Sequence, residues 1–402
     1  MVQSFADGLA LVAHRCHPVP EREIITLEEA ASRILAEDVA APVDYPLTDN
    51  SAVDGYAFRQ GDLATSGGFR LVGVSAAGRP FAGQIGPGEA VRIFTGAILP
   101  QGADTVAMQE HVVRQGDRVV VPGDVGPAAH IRRAAEDIKA GSYVLKAGQR
   151  IGPGQIGLLA SLGISQIMAY RRPRVAVISS GDELLSAGML PRYGSIYESN
   201  RSTLLALLSG LGAIATDFGI LPDKEDVLRS ALVEAANRHD AVLTSAGASV
   251  GDEDHLRSAL ASVGAIDFAG LAIRPGKPIV LGHIGGAPIF GLPGNPVAMM
   301  TGFIMIARPG LLRLAGAESF SPSRFPVRAN FSLTRKAGQR EFMRGLLCED
   351  AAGLTVSPFP HSHAGSIATL AHSDGLIEIT EDVSSITPGM SVPFLPFGLV
   401  GL

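Results

Sequence analysis

The 402-residue chain is predicted to be a multidomain α/β-plus-β protein. A doubly wound, mainly parallel sheet lies in its second half, a small β domain is inserted before it, and a β-barrel-like domain follows it. Three observations lead there. Between residues 174 and 314, β-branched runs alternate with segments of helical period, the pattern of a parallel sheet covered on both faces. Residues 43–125 and those after Gly316 instead show short alternating runs broken by Gly and Pro, the signature of all-β pieces. The length itself suggests about three domains.

Two helices are predicted at the start. Residues 4–17 place Phe5, Leu9 and Val12 on one face. Thr26-Leu27-Glu28-Glu29 reads as a capping box, with Ala30, Ile34 and Leu35 following at helical spacing. Pro42 and Pro46 end helical structure. Strands are expected at 69–74, 90–94, 105–108 and 118–121. Residues 155–162 read as a helix stopped at Gly163, in a segment, 128–172, expected to rejoin the N-terminal helices. The division expected is 1–42 with 128–172 as a segmented N-terminal domain, 43–127 as the inserted β domain, 173–316 as the α/β domain and 317–402 as the C-terminal β domain.

In the α/β domain, residues 174–179, 213–220, 241–244, 279–282 and 288–290 read as strands. Asn200 is expected to cap a helix with Leu204, Leu205, Leu207, Leu208 and Leu211 on its apolar face. Asp223 precedes a second helix, 254–263 a third, and 297–314 an apolar fourth. In the last domain, strands are expected at 325–333, 344–349, 354–358, 375–379 and 391–395.

The bulk numbers exclude several classes. A chain 46% hydrophobic and 18% charged is built to bury cores. A net charge of −6 argues against a general nucleic-acid partner. Cys16 and Cys348 stand far apart in no metal spacing, which suits a reducing cytoplasm. Residues 1–10 lack the basic start of a signal peptide. The uncharged stretches 151–170, 278–307 and 383–402 are too broken by Gly, Pro and polar residues for membrane spans, so no membrane association is expected.

Two Gly-acid loops carry the chemistry. Ser179-Ser180-Gly181-Asp182-Glu183 and Ser249-Val250-Gly251-Asp252-Glu253-Asp254 each follow a strand-like run and precede a helix-like one. That places two carboxylate clusters at the carboxyl ends of strands, where open sheets bind ligands. Carboxylates so close repel unless a cation or proton intervenes. A divalent-metal site handling a phosphorylated substrate is the natural inference, with Asp182, Glu183, Asp252 and Asp254 as metal ligands. An acidic helix start favoured by the dipole is the plainer account of either loop taken alone.

Arg274-Pro275-Gly276-Lys277-Pro278 puts two cations on a stiff turn, and Gly291-Leu292-Pro293-Gly294-Asn295-Pro296 opens an apolar helix. Free N–H groups at a helix start hold anions. A surface turn and a structural helix entry are the alternatives. Gly152-Pro-Gly-Gln-Ile-Gly157 matches a dinucleotide fingerprint only formally, because Pro153 interrupts it and no acidic residue follows at the right distance. His361-Ser-His363 reads as a loop.

Taken in order, the motifs 51–57 (Ser-Ala-Val-Asp-Gly-Tyr-Ala), 95–97 (Thr-Gly-Ala) with 102–104, 136–138 (Glu-Asp-Ile), 180–184, 249–252, 274–278 and 291–296 resemble one family. It is the molybdopterin molybdenumtransferases, the MoeA family, which includes the gephyrin E domain. The resemblance covers nearly the whole chain. It implies that the doubly wound domain binds molybdopterin, that the chain forms a homodimer, and that it works in the cytoplasm. It also implies an Mg²⁺-dependent insertion of molybdate into adenylylated molybdopterin with release of AMP. Molybdopterin adenylyltransferase and apo-molybdoenzymes are the partners implied, with no nucleic acid.

On the matching positions, Asp54, Thr95, Asp137, Glu183 and Asp254 carry the catalysis. Ser180, Gly181, Asp182, Ser249, Arg274, Lys277, Pro293, Asn295, Arg132, Arg344 and Ser366 hold the cofactor substrate. The chain departs from the family pattern at Ala246, Gly270, Arg274, Ala134-Ala135 and His361-Ser-His363-Ala364. Three other readings accompany the main one: a paralogue handling tungstate, a phosphohydrolase acting on another pterin or nucleotide phosphoanhydride, and a non-catalytic cofactor-binding scaffold.

Overall fold

The computed structural model of the chain describes residues 2–64, 67–245, 255–360 and 365–399. It forms two compact units. One comprises Met1–Glu37, Ala147–Gly152 and Ile167–Leu402, the other Asp38–Lys146 and Pro153–Gln166.

The larger unit is built on a six-stranded sheet in the order Ile214–Leu221, Arg174–Ser180, Ala241–Ser245, Ala287–Leu292, Val280–Ile284, Ala265–Ala269. The first four strands are parallel and the last two antiparallel. Alternate side chains of one strand serve two cores, as the pleat requires. Val175 and Val177 pack with Leu204, Leu207, Leu208 and Leu211 of the helix Asn200–Leu211 and with Met299 and Phe303. Ala176 and Ile178 pack with Leu228 and Leu232 of the helix Glu225–Arg238 and with Leu256 and Leu260 of His255–Val263. Each fully buried Leu contributes about 1.5–3 kcal/mol. The helices therefore lie on both faces, as the alternating pattern predicts. The strand Ala265–Ala269, which carries Asp267, is an addition to the sequence reading.

The apolar fourth helix, Pro296–Leu314, is 19 residues long and apolar enough to cross a membrane, yet 94% of its most apolar window is buried within the fold. Residues 303–307 make one π-type turn inside it. The N-terminal helix Phe5–Arg15 starts at Ser4, whose Oγ accepts the Asp7 N–H at 3.1 Å. It packs Val12 against the same core. The second predicted helix is a correction. The capping box forms, but the helical turn covers only Leu27–Glu29. Ser32 then takes a left-handed φ of 65°. Ile34 and Leu35 continue extended, bridging Arg150 and Ala169. Their apolar side chains are buried as strand-like residues, so the helical spacing there is coincidental.

After Gly316 the chain forms a closed barrel. Arg340–Asp350 pairs with both Gly353–Pro358 and Gly375–Ile379, and Phe325–Ala329 and Ser391–Pro396 complete the circuit. Val327, Val356, Ile377, Val392 and Phe394 fill it. The closed barrel removes exposed sheet edges.

The smaller unit holds a six-stranded mixed sheet in the order Thr105–Met108, Gly55–Phe58, Glu89–Ile93, Phe69–Ser75, Arg118–Val120, Val113–Gln115. The strand Gly55–Phe58 is buried on both faces. Phe58 packs against Phe69 with the rings tilted by 49° and their centroids 4.8 Å apart, while Ala57 faces Ile93 and Val106. Gly55 admits no side chain, because a Cβ there would lie 2.0 Å from the Ala107 carbonyl oxygen. The helix Pro153–Ser161 belongs to this unit and stops before Gly163, whose φ is 74°.

Candidate functional site

The parallel strands end in register. Ser179 pairs with Ser245, and Ser245 with Leu292. The strands ending at Ser180, Ser245 and Leu292 therefore finish at one edge of the sheet, its carboxyl edge, where doubly wound folds bind ligands. Ser180 is buried, while Asp182 and Glu183 are exposed. Gly181 has a φ of 152°, and the Glu183 carboxylate folds back over it, 2.6 Å from where a Cβ would stand. The Asp223 N–H donates to Asp182 Oδ1 at 3.3 Å, and Arg192 donates to the Asp182 carbonyl at 3.0 Å. Ser249, Asp252 and Asp254, together with Ala246 and His361–Ala364, lie outside the described residues. Among the described residues no three His, Cys, Asp or Glu side chains gather into a metal cluster. Asp182 and Glu183 nonetheless supply two exposed carboxylates on one loop, the donor type a hard divalent cation takes.

Beneath this edge lies a polar layer that the motif reading passed over. Ser179 Oγ donates to the buried Glu198 carboxylate at 3.0 Å, and the Arg201 N–H reaches the same oxygen at 2.8 Å. Asn200 does not cap its helix; Ser199 precedes the first turn. Instead the Asn200 amide donates to Ser245 Oγ at 2.8 Å and to the Gly294 carbonyl at 2.7 Å. It ties one helix start to a strand end and to the Pro293–Asn295 turn. Glu198 Oε2, Asn200 Oδ1 and Thr244 Oγ1 are buried without a hydrogen-bond partner among the described residues. Glu198 Oε2 has the Arg201 Nε at 3.7 Å, so the Asn200 amide oxygen and the Thr244 hydroxyl are the two groups that mark where polar partners are wanted. The signal was present as Glu198-Ser199-Asn200 before an apolar helix. A polar triplet there reads as capping chemistry until the tertiary partners are known.

Asn295 is the true cap of the long helix: its Oδ1 accepts the Val297 N–H at 3.2 Å, and Pro296 fills the first helical position. Pro293 is buried. Arg274 and Lys277 are exposed on their turn, with Arg274 Nε 3.7 Å from Glu341. Gly270 has a φ of 113° that favours glycine. Arg344 lies in the barrel strand Arg340–Asp350, only 4% exposed, and burial lowers its pKa. The Ser366 carbonyl starts a short turn by accepting from Thr369.

In the smaller unit, the Thr95 N–H and hydroxyl both donate to Asp54 Oδ1 at 2.8 Å. The Thr95 N–H, then its hydroxyl, hold the Asp54 pKa below the ordinary carboxylate value. Arg92 lies alongside, donating to the Gly55 carbonyl at 2.8 Å and stacking over Phe94 at 4.7 Å. A cavity of about 580 Å³ in the same unit is lined by Tyr45, Asn50, Gly96, Arg132, Glu136 and Asp137, among others. Arg132 and Asp137 thus share one cavity, and Asp54 and Thr95 share one hydrogen-bonded corner. The turn between them is set by Asp49, which accepts from the Ala134 N–H at 2.8 Å and from Arg133 at 2.6 Å. Ala135 there is left-handed, with a φ of 60°.

A doubly wound sheet with polar groups at its carboxyl edge, a closed barrel after it and a β unit early in the chain define a multidomain α/β protein of the type that binds ligands at the strand ends. Comparison with known proteins sharpens this. Residues 3–163 match the MoeA N-terminal region (domain I and II), residues 176–313 the "Probable molybdopterin binding domain", and residues 326–397 the MoeA C-terminal region (domain IV). The chain is 37% identical to the molybdopterin molybdenumtransferase of Haemophilus influenzae over 94% of its length and 95% of that protein. It is 34% identical to that of a Nostoc species over 92% and 88%. The crystal structure of a molybdopterin biosynthesis MoeA protein from Pyrococcus horikoshii superposes with a TM-score of 0.78 at 31% identity, covering 99% of each chain. The chain belongs to the MoeA family, the molybdopterin molybdenumtransferases of molybdenum-cofactor biosynthesis.

Proposed function

We propose that this chain inserts molybdenum from molybdate into adenylylated molybdopterin, in a reaction that requires Mg²⁺ and releases AMP. The carrying observation is the shared carboxyl edge, where the Gly181–Glu183 loop and the Pro293–Asn295 turn leave strands in register. Ser180 and Gly181 let the backbone approach a phosphate. Asp182 and Glu183, with Asp252 and Asp254, hold Mg²⁺, whose charge offsets that of the phosphoanhydride. Pro293 and Asn295 line the same edge, and Ser249 joins them in binding the substrate. Arg274 and Lys277 draw in phosphate and pterin oxygens. Arg344 and Ser366 supply a guanidinium and a hydroxyl, a pairing suited to an oxyanion such as molybdate. Thr95 orients the Asp54 carboxylate and keeps it ionised, while Arg132 and Asp137 meet the substrate from their own cavity.

The four-part domain division, a homodimer, a cytoplasmic setting, and exchange with molybdopterin adenylyltransferase and apo-molybdoenzymes belong to this reading. The test incubates purified protein with adenylylated molybdopterin, Mg²⁺ and molybdate, then measures AMP and the reconstitution of an apo-molybdoenzyme. Folded protein yielding neither product overturns the proposal. Tight substrate binding with no AMP marks a scaffold, and activity with tungstate alone marks a paralogue.

A further inference from the structure

A cavity of about 650 Å³ lies in the larger unit, on the sheet face that the helix Asn200–Leu211 and the core helix Pro296–Leu314 cover. Small-molecule sites run from roughly 300 to 1,000 Å³. Leu207, Met299 and Met300 line it from the two helices, and Leu370 and Phe397 from the C-terminal part of the chain. Phe397 is fixed by its N–H, which donates to the Asp374 carbonyl at 2.9 Å. Among the described residues no charged side chain lines this cavity.

Its side-chain polar groups are the Thr203 and Ser373 hydroxyls. Thr203 Oγ1 donates to the Ser199 carbonyl at 2.9 Å, and Ser373 Oγ donates to the Thr369 carbonyl. With their protons so used, both oxygens are left to accept. The lining therefore suits a flat, neutral ring that carries N–H donors. Methionines shape themselves readily to an aromatic face.

Position decides which ring. Pro296 lines the cavity and follows Asn295, so one wall continues the Pro293–Asn295 turn. Ile367 lines it too, directly after Ser366. The helix carrying Thr203 and Leu207 starts at Asn200, whose amide is bonded to that same turn. The cavity thus adjoins both the carboxyl edge and the hydroxyl assigned to molybdate. In adenylylated molybdopterin the sulfurs that take the metal are carried by the pterin portion, and the adenine lies beyond the phosphates. A ring beside Ser366 is accordingly the pterin.

We propose that this cavity holds the pterin ring of the substrate, with Thr203 and Ser373 accepting from its N–H groups. The neutral ring leaves water here while the phosphates stay at the polar edge. The assignment rests on the proposed reaction, which supplies the pterin.

The experiment titrates the full chain into 6-hydroxymethylpterin and follows the anisotropy of the ring's own fluorescence. Saturable binding is expected in the wild type. Ala206 lines the cavity from an exposed helix position, so Ala206→Trp fills it and is expected to weaken binding about tenfold or more. Ser373→Ala removes one acceptor and is expected to weaken it about threefold. KM for adenylylated molybdopterin is expected to rise by the same factors. Circular dichroism checks folding; should Ala206→Trp not fold, Ala206→Met takes its place, with about threefold loss expected. No saturable binding in the wild type, or equal affinity in the wild type and the folded Ala206 variant, overturns the site. Adenosine binding lost in that variant while pterin binding stays assigns the cavity to the adenine and also overturns it. So does a changed oligomeric state with pterin binding intact, which assigns the cavity to a second copy of the chain. Failure of the site and failure of the reaction are distinguishable. Pterin binding blocked by Ala206→Trp, in a chain that releases no AMP, refutes the reaction alone. AMP release with an unchanged KM in Ala206→Trp refutes the site alone.

Discussion

Replacing Asn200 by Ala isolates what the buried polar layer does for the sheet edge above it. The wild-type amide makes two short hydrogen bonds, to Ser245 Oγ and to the Gly294 carbonyl, from a residue only 5% exposed. Each buried hydrogen bond is worth about 0.5–1.5 kcal/mol net, and an acceptor left buried and unmet adds about 1–3 kcal/mol. Asn200 Oδ1 has no partner to lose, so its removal offsets part of the loss. The sum is about 2–4 kcal/mol, a sizeable share of the roughly 5–15 kcal/mol that holds a typical fold. Because the Gly294 tether fixes the Pro293–Asn295 turn, molybdenum insertion is also expected to fall, by about tenfold for each 1.4 kcal/mol of lost transition-state stabilisation. Urea unfolding followed by circular dichroism measures the first effect, and AMP release, the product of the proposed reaction, the second. A variant within about 0.5 kcal/mol of wild type and equally active would refute the reasoning, since that is the range of a surface change with no structural duty.

Three further outcomes follow from the same coordinates. Thr95→Val removes the hydroxyl that donates to Asp54 but keeps the backbone donor, so the Asp54 pKa is expected to rise toward its ordinary value; carbon-detected NMR titration reads it, and the acid limb of the pH–rate profile moves up with it. Asp240 pairs with Arg171 through two contacts of 2.9 Å and accepts the Arg174 N–H; burial alone would raise its pKa, but these partners outweigh it and lower it. Its stabilisation is present above the ordinary carboxylate pKa and lost as pH falls through the depressed one, so Asp240→Asn is expected to cost about 1–3 kcal/mol at pH 7 and progressively less in acid, in denaturation curves taken across pH. Ala135→Gly relieves a left-handed alanine and is expected to stabilise the smaller unit by about 0.5–1 kcal/mol, net of the flexibility glycine adds to the unfolded chain, as read by the same urea curves.

The α/β sheet was legible because its signals are local. The apolar run at 174–180 and the leucines at 204, 207, 208 and 211 announce their periods without help from the rest of the chain. The strand Ala265–Ala269 was not, because Asp267 breaks its apolar pattern and meets its partners only in the fold, Arg15 252 residues away and His283 on the next strand. The predicted second helix failed for a related reason: a valid start signal at Thr26 says nothing of where a helix stops, and Ser32 stops it after one turn. The Gly181–Glu183 loop and the Pro293–Asn295 turn could be located from their sequence. The roles of Asn200 and Glu198 could not, because both depend on strands and turns brought together only by folding. Arg308 reads in sequence as one more helical arginine, and the burial of its Nε with no hydrogen-bond partner among the described residues is visible only in three dimensions.

The N-terminal helix makes its closest packing very late in the chain. Gly310 has no side chain where one would stand 3.1 Å from Val12 and 2.9 Å from the Cys16 sulfur. The surface that Phe5–Arg15 covers is thus completed by a helix emerging some three hundred residues after it. At ribosomal speeds of about 5–20 residues per second, that interval is roughly 15–60 s. Throughout it, Phe5 and Val12 remain without their native cover while the whole smaller unit is synthesised and free to fold. The growing chain therefore carries an uncovered apolar helix for most of this interval, an opening for holding chaperones that a chain with this helix packed locally would never present.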